Sequence, residues 1–201
     1  MIGRNRVIML KSIIHISALL PVIYLYSLAF SDQLGADPVE ELIHFTGIGA
    51  LNLLLITLCI SPLAKRIKKS RLIKTRRLLG LYAFLYALLH IINFFVFEIQ
   101  FDGKLFINEV IERPYITLGM LAFLLLSVLA VTSIDSIKRK MGKNWQSLHN
   151  TIYLLIILVA IHFYWSVKSV LILPVIYCLL CVILLTFRYL KLKRFILSLL
   201  A

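Results

Sequence analysis

Five histidines, His15, His44, His90, His149 and His162, are the side chains whose type and placement could do chemistry in this sequence, and four of them lie inside long apolar runs. An ionisable group in such a run is costly, so each is a functional candidate, set against the plainer role of a neutral imidazole bonding to a neighbouring helix. His90 falls about 18 Å along its run from Leu78, and His162 about 21 Å along its run from Leu148, at ~1.5 Å of helix rise per residue. Both runs start on the same side, so the two imidazoles share one depth. Two neutral histidines from facing helices in a water-poor bundle are the ligand set that a porphyrin iron takes on its two faces. His90 and His162 are therefore assigned to one b-type haem.

His149 lies thirteen residues before His162, about 20 Å of rise nearer the inner end. It would serve a second haem there. Thirteen residues leave the two side chains about 140° apart around an ideal helix, so two haems would approach from different azimuths. On the other run the position thirteen before His90 is Arg77, so the inner haem lacks an obvious partner ligand. His15, in the inner half of the first run, either supplies it or packs between helices. Arg113, Trp165 and Lys168, with Tyr164, sit at the outer ends of runs, where they suit haem propionates or form an aromatic belt with snorkelling bases. His44 lies near the outer start of the second run, with a capping, pocket-lining or partner role open.

The elements that must hold these residues follow from hydropathy. Of 201 residues 61% are hydrophobic, against the 45–50% or so of ordinary soluble domains, and the mean hydropathy is +0.96. Six apolar segments reach the ~20 residues that a bilayer core demands: 8–30, 43–63, 78–97, 115–134, 148–166 and 170–190. Backbone groups in lipid must pair within their own segment, and short alternating strands are absent, so the expected fold class is all-α, one integral membrane bundle of six transmembrane helices over 1–201. Pro38, Pro62 and Pro114 stand near span ends, whereas Pro21 and Pro174 predict local kinks. The run from Ile13 to Phe30 is long for a cleaved signal and no small-residue cleavage site follows it, so it reads as a retained first helix. No internal repeat is evident.

The formal net charge of +13 would suggest nucleic acid in a soluble chain. Here the bases sit between apolar runs and report orientation. Arg4, Arg6 and Lys11, the cluster from Lys65 to Arg77, the group Lys138, Arg139, Lys140 and Lys143, and the tail bases Arg188, Lys191, Lys193 and Arg194 mark the inner side. Asp32, Asp37, Glu40 and Glu41, and then Glu98, Asp102, Glu109 and Glu112, mark the outer side. Both termini are then cytoplasmic. Cys59, Cys178 and Cys181 lie in apolar spans; Cys178 and Cys181 have C-x-x-C spacing without the following histidine of covalent haem attachment, so they are read as core residues. Outer connections of no more than about twenty residues, and about eleven after the sixth span, leave no room for a nucleotide-binding or substrate-processing domain. The expected protein passes electrons between an inner donor and an outer acceptor.

Several short motifs carry a family resemblance: Leu34-Gly35-Ala36-Asp37-Pro38, His44-Phe45-Thr46-Gly47, Thr75-Arg76-Arg77-Leu78-Leu79-Gly80-Leu81, Arg113-Pro114-Tyr115, Trp145-Gln146-Ser147-Leu148-His149-Asn150 and Trp165-Ser166-Val167-Lys168. With them the chain resembles the ferric-reductase-like transmembrane proteins, and within that family the haem-binding subunits of bacterial periplasmic methionine sulfoxide reductase systems. The resemblance implies an inner-membrane electron-transfer subunit without a substrate-reducing site of its own. It would draw on the quinone pool or a cytoplasmic flavin reductase and serve a periplasmic molybdopterin-containing methionine sulfoxide reductase that repairs oxidised proteins. It also implies b-type haem, FMN, and functional roles for His90, His149 and His162. Arg76 and Arg77 are candidates for the FMN phosphate. Two other readings fit the histidines: a stand-alone ferric or cupric reductase, and a proton-coupled transporter with a histidine relay, which would carry no pigment.

Overall fold

The computed structural model describes residues 2–167 and 170–189, whose regular elements are all helices joined by short turns, without strands. In chain order they form α1 (Ile2–Phe30), α2 (Pro38–Arg66), a 3₁₀ segment (Ser70–Thr75), α3 (Arg76–Asn93) with a π turn over Phe94–Glu98, α4 (Gly103–Glu112), α5 (Pro114–Val131), α6 (Asp135–Met141), α7 (Asn144–Asn150), α8 (Ile152–Ser166) and α9 (Ile172–Thr186). Among the described residues five stretches are long and apolar enough to cross a membrane: 5–30, 38–66, 71–98, 114–131 and 144–166. The sixth apolar helix, α9, has 15 residues, about 22 Å of rise. The expected six-helix membrane bundle and all-α class agree with this.

The chain states its helix ends plainly where it leaves the apolar runs. Asp37 caps α2, its carboxylate accepting from Glu40 N at 2.9 Å; Pro38 opens the helix, Glu40 and Glu41 fill the first turn, and Lys65 and Arg66 the last. Each choice complements the unpaired amides or carbonyls and the helix dipole. Pro114 opens α5 in the same way. Pro174 is the third residue of α9, where its missing N–H leaves no bond unmade, so it helps to start that helix instead of kinking it. α1 runs through Pro21 without interruption. Within the spans, hydroxyls fold back on their own helix: Thr46 donates to Leu42 O at 2.6 Å, Thr57 to Leu53 O at 2.7 Å and Ser127 to Phe123 O at 2.7 Å. That leaves the apolar surface intact.

The described residues group into two compact units, dividing between Phe106 and Ile107. In the first, α2 packs along α3 with α1 beside them. Leu51, Leu54, Leu58 and Ala83 are almost fully enclosed there. Where α3 ends and α2 begins, a polar cluster ties three helices together: Tyr26 on α1 donates to Asn93 Oδ1 at 2.6 Å, and Asn93 Nδ2 donates to Leu42 O at 3.4 Å and Thr46 Oγ1 at 3.5 Å on α2. Tyr86 on α3 reaches Ala18 O on α1 at 2.7 Å. In the second unit α8 lies between α5 and α9, with Leu155 and Ile156 fully buried.

Candidate functional site

His90 stands in the last turn of α3, and its Nδ1 lies 2.8 Å from the carbonyl oxygen of Ile43 on α2. A carbonyl can only accept, so the ring donates Nδ1–H, and the lone pair of the neutral imidazole is on Nε2. His162 on α8 repeats the arrangement in the second unit, its Nδ1 lying 2.6 Å from Tyr115 O at the start of α5. Tyr115 also lies against the His162 ring, with centroids 6.3 Å apart. A backbone tether on one nitrogen fixes the tautomer and orients the other toward a ligand, the arrangement found behind metal-bound histidines. Both residues fit the demand of a haem iron for a neutral imidazole Nε2.

His149 is held differently. Its Nε2 lies 3.1 Å from Thr132 Oγ1. The Thr132 hydroxyl proton is already directed at Val128 O, 2.7 Å away, so the hydroxyl accepts and His149 carries its proton on Nε2. Trp145 stacks on the His149 ring at 4.1 Å between centroids and an interplanar angle of 28°, donates its indole N–H to Thr132 O at 2.9 Å, and takes Lys138 Nζ over its face at 4.4 Å. In this tautomer an iron would meet Nδ1, so His149 fits an Nε2 ligand only after exchanging its bond to Thr132. His15 Nδ1 shares a 2.5 Å hydrogen bond with Tyr82 Oη, the rings edge to face. That contact ties α1 to α3 and engages the nitrogen His15 would need for the plain packing role.

The other candidates are spread over the two units. Arg76 and Arg77 open α3, the first half-buried and the second exposed. Arg113 precedes α5, donates to Tyr115 Oη at 3.3 Å and pairs with Glu109 at 2.7 Å. The Tyr115 hydrogen bond, helped by the Glu109 carboxylate, raises its pKa above the usual arginine value and keeps it cationic. Five guanidinium donors leave capacity for an anion beyond those two bonds. Trp165 is exposed near the end of α8, and Lys168 lies outside the described residues, as do Lys191, Lys193 and Arg194. His44 falls inside α2, in a shallow hollow with Asp37, Glu40 and Glu41. Among the described residues no three acidic, histidine or cysteine side chains gather to hold a bare metal ion.

A family model described as "Ferric reductase like transmembrane component" matches residues 46–160, from the third turn of α2 to two residues short of His162. The chain is 44% identical over 186 residues, 92% of its own length and 93% of the relative's, to the "Protein-methionine-sulfoxide reductase heme-binding subunit MsrQ" of Cronobacter sakazakii. A protein of the same name from Klebsiella pneumoniae is 43% identical over 191 residues, 94% of this chain and 95% of that one. The chain belongs to the MsrQ branch of the ferric-reductase-like transmembrane family. Membership accounts for a multi-pass membrane fold.

In this MsrQ-family chain the histidines are legible in the sequence, but what holds them is not. The Ile43 and Tyr115 carbonyls carry no side-chain signal. Thr132 and Trp145 did leave traces, since Trp145 opens the motif that contains His149 and Thr132 closes α5.

Proposed function

We propose that the chain is the haem-carrying membrane subunit of a protein-methionine-sulfoxide reductase system, in which His90 and His162 would hold b-type haem through their Nε2 atoms. The observation that carries this reading is the pair of Nδ1 tethers, to Ile43 O and Tyr115 O, which leaves each ring with its lone pair on Nε2. The names of the Cronobacter and Klebsiella relatives support it. A bound haem supplies a one-electron carrier. The chain supplies the rest: the tethers raise imidazole basicity, which favours the more highly charged ferric iron, and the apolar helices keep water from the ligand bonds. Arg113 and Trp165 are assigned to the outer propionates.

Electrons enter on the inner side, from the quinone pool or a cytoplasmic flavin reductase, and leave to a periplasmic molybdopterin-containing partner that reduces methionine sulfoxide. The chain sits in a bacterial inner membrane with both termini cytoplasmic, a reading supported by the basic connections. The FMN that the family resemblance implies is assigned by its phosphate to Arg76 and Arg77, the first two residues of α3. His149 is assigned to an inner haem, reached by exchange of its Thr132 bond.

Absorption spectra of the purified protein, oxidised and then reduced with dithionite, test the reading. Soret and α bands are expected, and they should be weakened in His90→Ala and His162→Ala, with any remainder carried by the inner haem assigned to His149. A colourless protein that retains activity as a proton-coupled transporter would overturn it. Co-purification with a periplasmic molybdoenzyme separates the electron relay from a stand-alone metal reductase.

A further inference from the structure

The two histidine tethers are copies of one another. Ile43 and His90 are 47 residues apart, and so are Tyr115 and His162. In each unit a glycine stands four residues beyond the accepting carbonyl, Gly47 in α2 and Gly119 in α5, one helical turn further along the same face. A Cβ on Gly47 would lie 3.0 Å from both Cε1 and Nδ1 of His90. A Cβ on Gly119 would lie 2.8 Å from the same two atoms of His162. Every member of the first set has its counterpart 72 residues later.

The match continues along the packed faces. Three and seven residues after the glycine come Ala50 and Leu54 in one unit and Ala122 and Leu126 in the other, all buried. Seven residues before the histidine, Ala83 and Leu155 are both fully enclosed. The chain reads without a repeat because about seventy residues separate the copies and the shared positions are few, but the helix pairs α2–α3 and α5–α8 repeat one design. The position of His149 in the second copy is that of Arg77 in the first, which is why the inner histidine has no partner at the matching place.

We propose that Gly47 and Gly119 are positioning residues of this duplicated cradle, each giving room to one imidazole so that the carbonyl a turn earlier can fix its tautomer and its rotation about the Cβ–Cγ bond. The inference rests on the ligand assignment above for its consequence, not for its geometry. A methyl at either glycine meets the ring at less than ordinary van der Waals distance. The ring moves, because it is the end of a side chain whereas the helices are packed against one another. Its Nδ1–H then leaves the carbonyl. The fold is little altered and the ligand is misaimed. Gly80, inside α3 with nothing within 4 Å of its Cβ direction, is the internal control, since alanine there has no neighbour to displace.

The test begins on the full chain without haem, with histidine rings labelled with ¹⁵N and assigned by the signals lost in His90→Ala and His162→Ala. Both rings should be protonated at Nδ1. Gly47→Ala should shift the His90 nitrogens alone, Gly119→Ala those of His162 alone, and Gly80→Ala neither. Nε2 protonation in the parent protein, or glycine variants whose signals move no more than those of Gly80→Ala, would overturn the cradle. Where Gly119→Ala does not fold, the double variant Gly119→Ala/His162→Ala decides: removal of the ring should restore folding to the level of His162→Ala, and failure of the double variant also overturns the proposal.

Loaded with haem, Gly47→Ala and Gly119→Ala should each weaken binding about 10- to 100-fold, the range for groups that orient a metal ligand, and alter the low-spin electron paramagnetic resonance signal. Expected tautomers and shifts in a protein that binds no haem would sink the ligand assignment while leaving the cradle standing. Altered haem signals without the tautomer shifts would sink the cradle alone.

Discussion

At the scale of single residues, the proton positions on the imidazoles separate the histidines. His90 and His162 donate from Nδ1 to backbone carbonyls, whereas His149 donates from Nε2 to a threonine hydroxyl whose own proton is committed elsewhere. Thr132→Val removes the hydroxyl acceptor of His149 and keeps the Trp145 stack on its ring. Spectra of Thr132→Val should therefore differ from the parent in any signal that depends on His149 and keep those lost in His90→Ala and His162→Ala; an unchanged His149-dependent signal would contradict the exchange assigned to that residue. Cys178→Ala should leave the haem spectrum as it is. Its thiol lies 3.9 Å from Ala160 O and serves packing between α8 and α9. Histidine positions were legible because an ionisable residue stands out in an apolar run. Their tautomers were not, because the partners of His90 and His162 are main-chain oxygens, present at every position of every helix.

At the scale of elements, helix ends were the most legible features, since Asp37-Pro38 and Arg113-Pro114 are written in residues with strong positional preferences. Helix-to-helix polar links were not, because Asn93 appears in the sequence as one polar residue before a phenylalanine pair. In the structure it joins α1 and α2 to α3. Asn93→Leu should strand the Tyr26 hydroxyl and remove the amide donor to the Leu42 carbonyl, at a cost of about 1–3 kcal/mol for a buried group left unpaired. The check is a thermal or denaturant unfolding series in detergent. The double variant Tyr26→Phe/Asn93→Leu should recover part of that loss, because the stranded hydroxyl goes with its partner. Strictly additive losses would show that Tyr26 and Asn93 are not coupled.

At the scale of the whole molecule, charge and hydropathy made the membrane class legible at once, and the family match agrees with it. The division between Phe106 and Ile107 and the 72-residue repetition were hidden, since a few glycine, alanine, leucine and histidine positions carry them within runs of interchangeable apolar residues. The basic connections predict sidedness: in intact cells with a permeable outer envelope, Asp102→Cys should react with a membrane-impermeant maleimide, and Lys68→Cys and Lys140→Cys should not until the inner membrane is opened. Labelling in the reverse order would invert the assigned orientation. The most direct measurement is haem content by reduced-minus-oxidised spectroscopy on the parent protein beside His90→Ala and His162→Ala, at equal protein and with folding verified. A pigmented parent, with haem per protein at least roughly halved in each variant as expected for loss of a direct iron ligand, is the predicted result; full haem in either folded variant would contradict it.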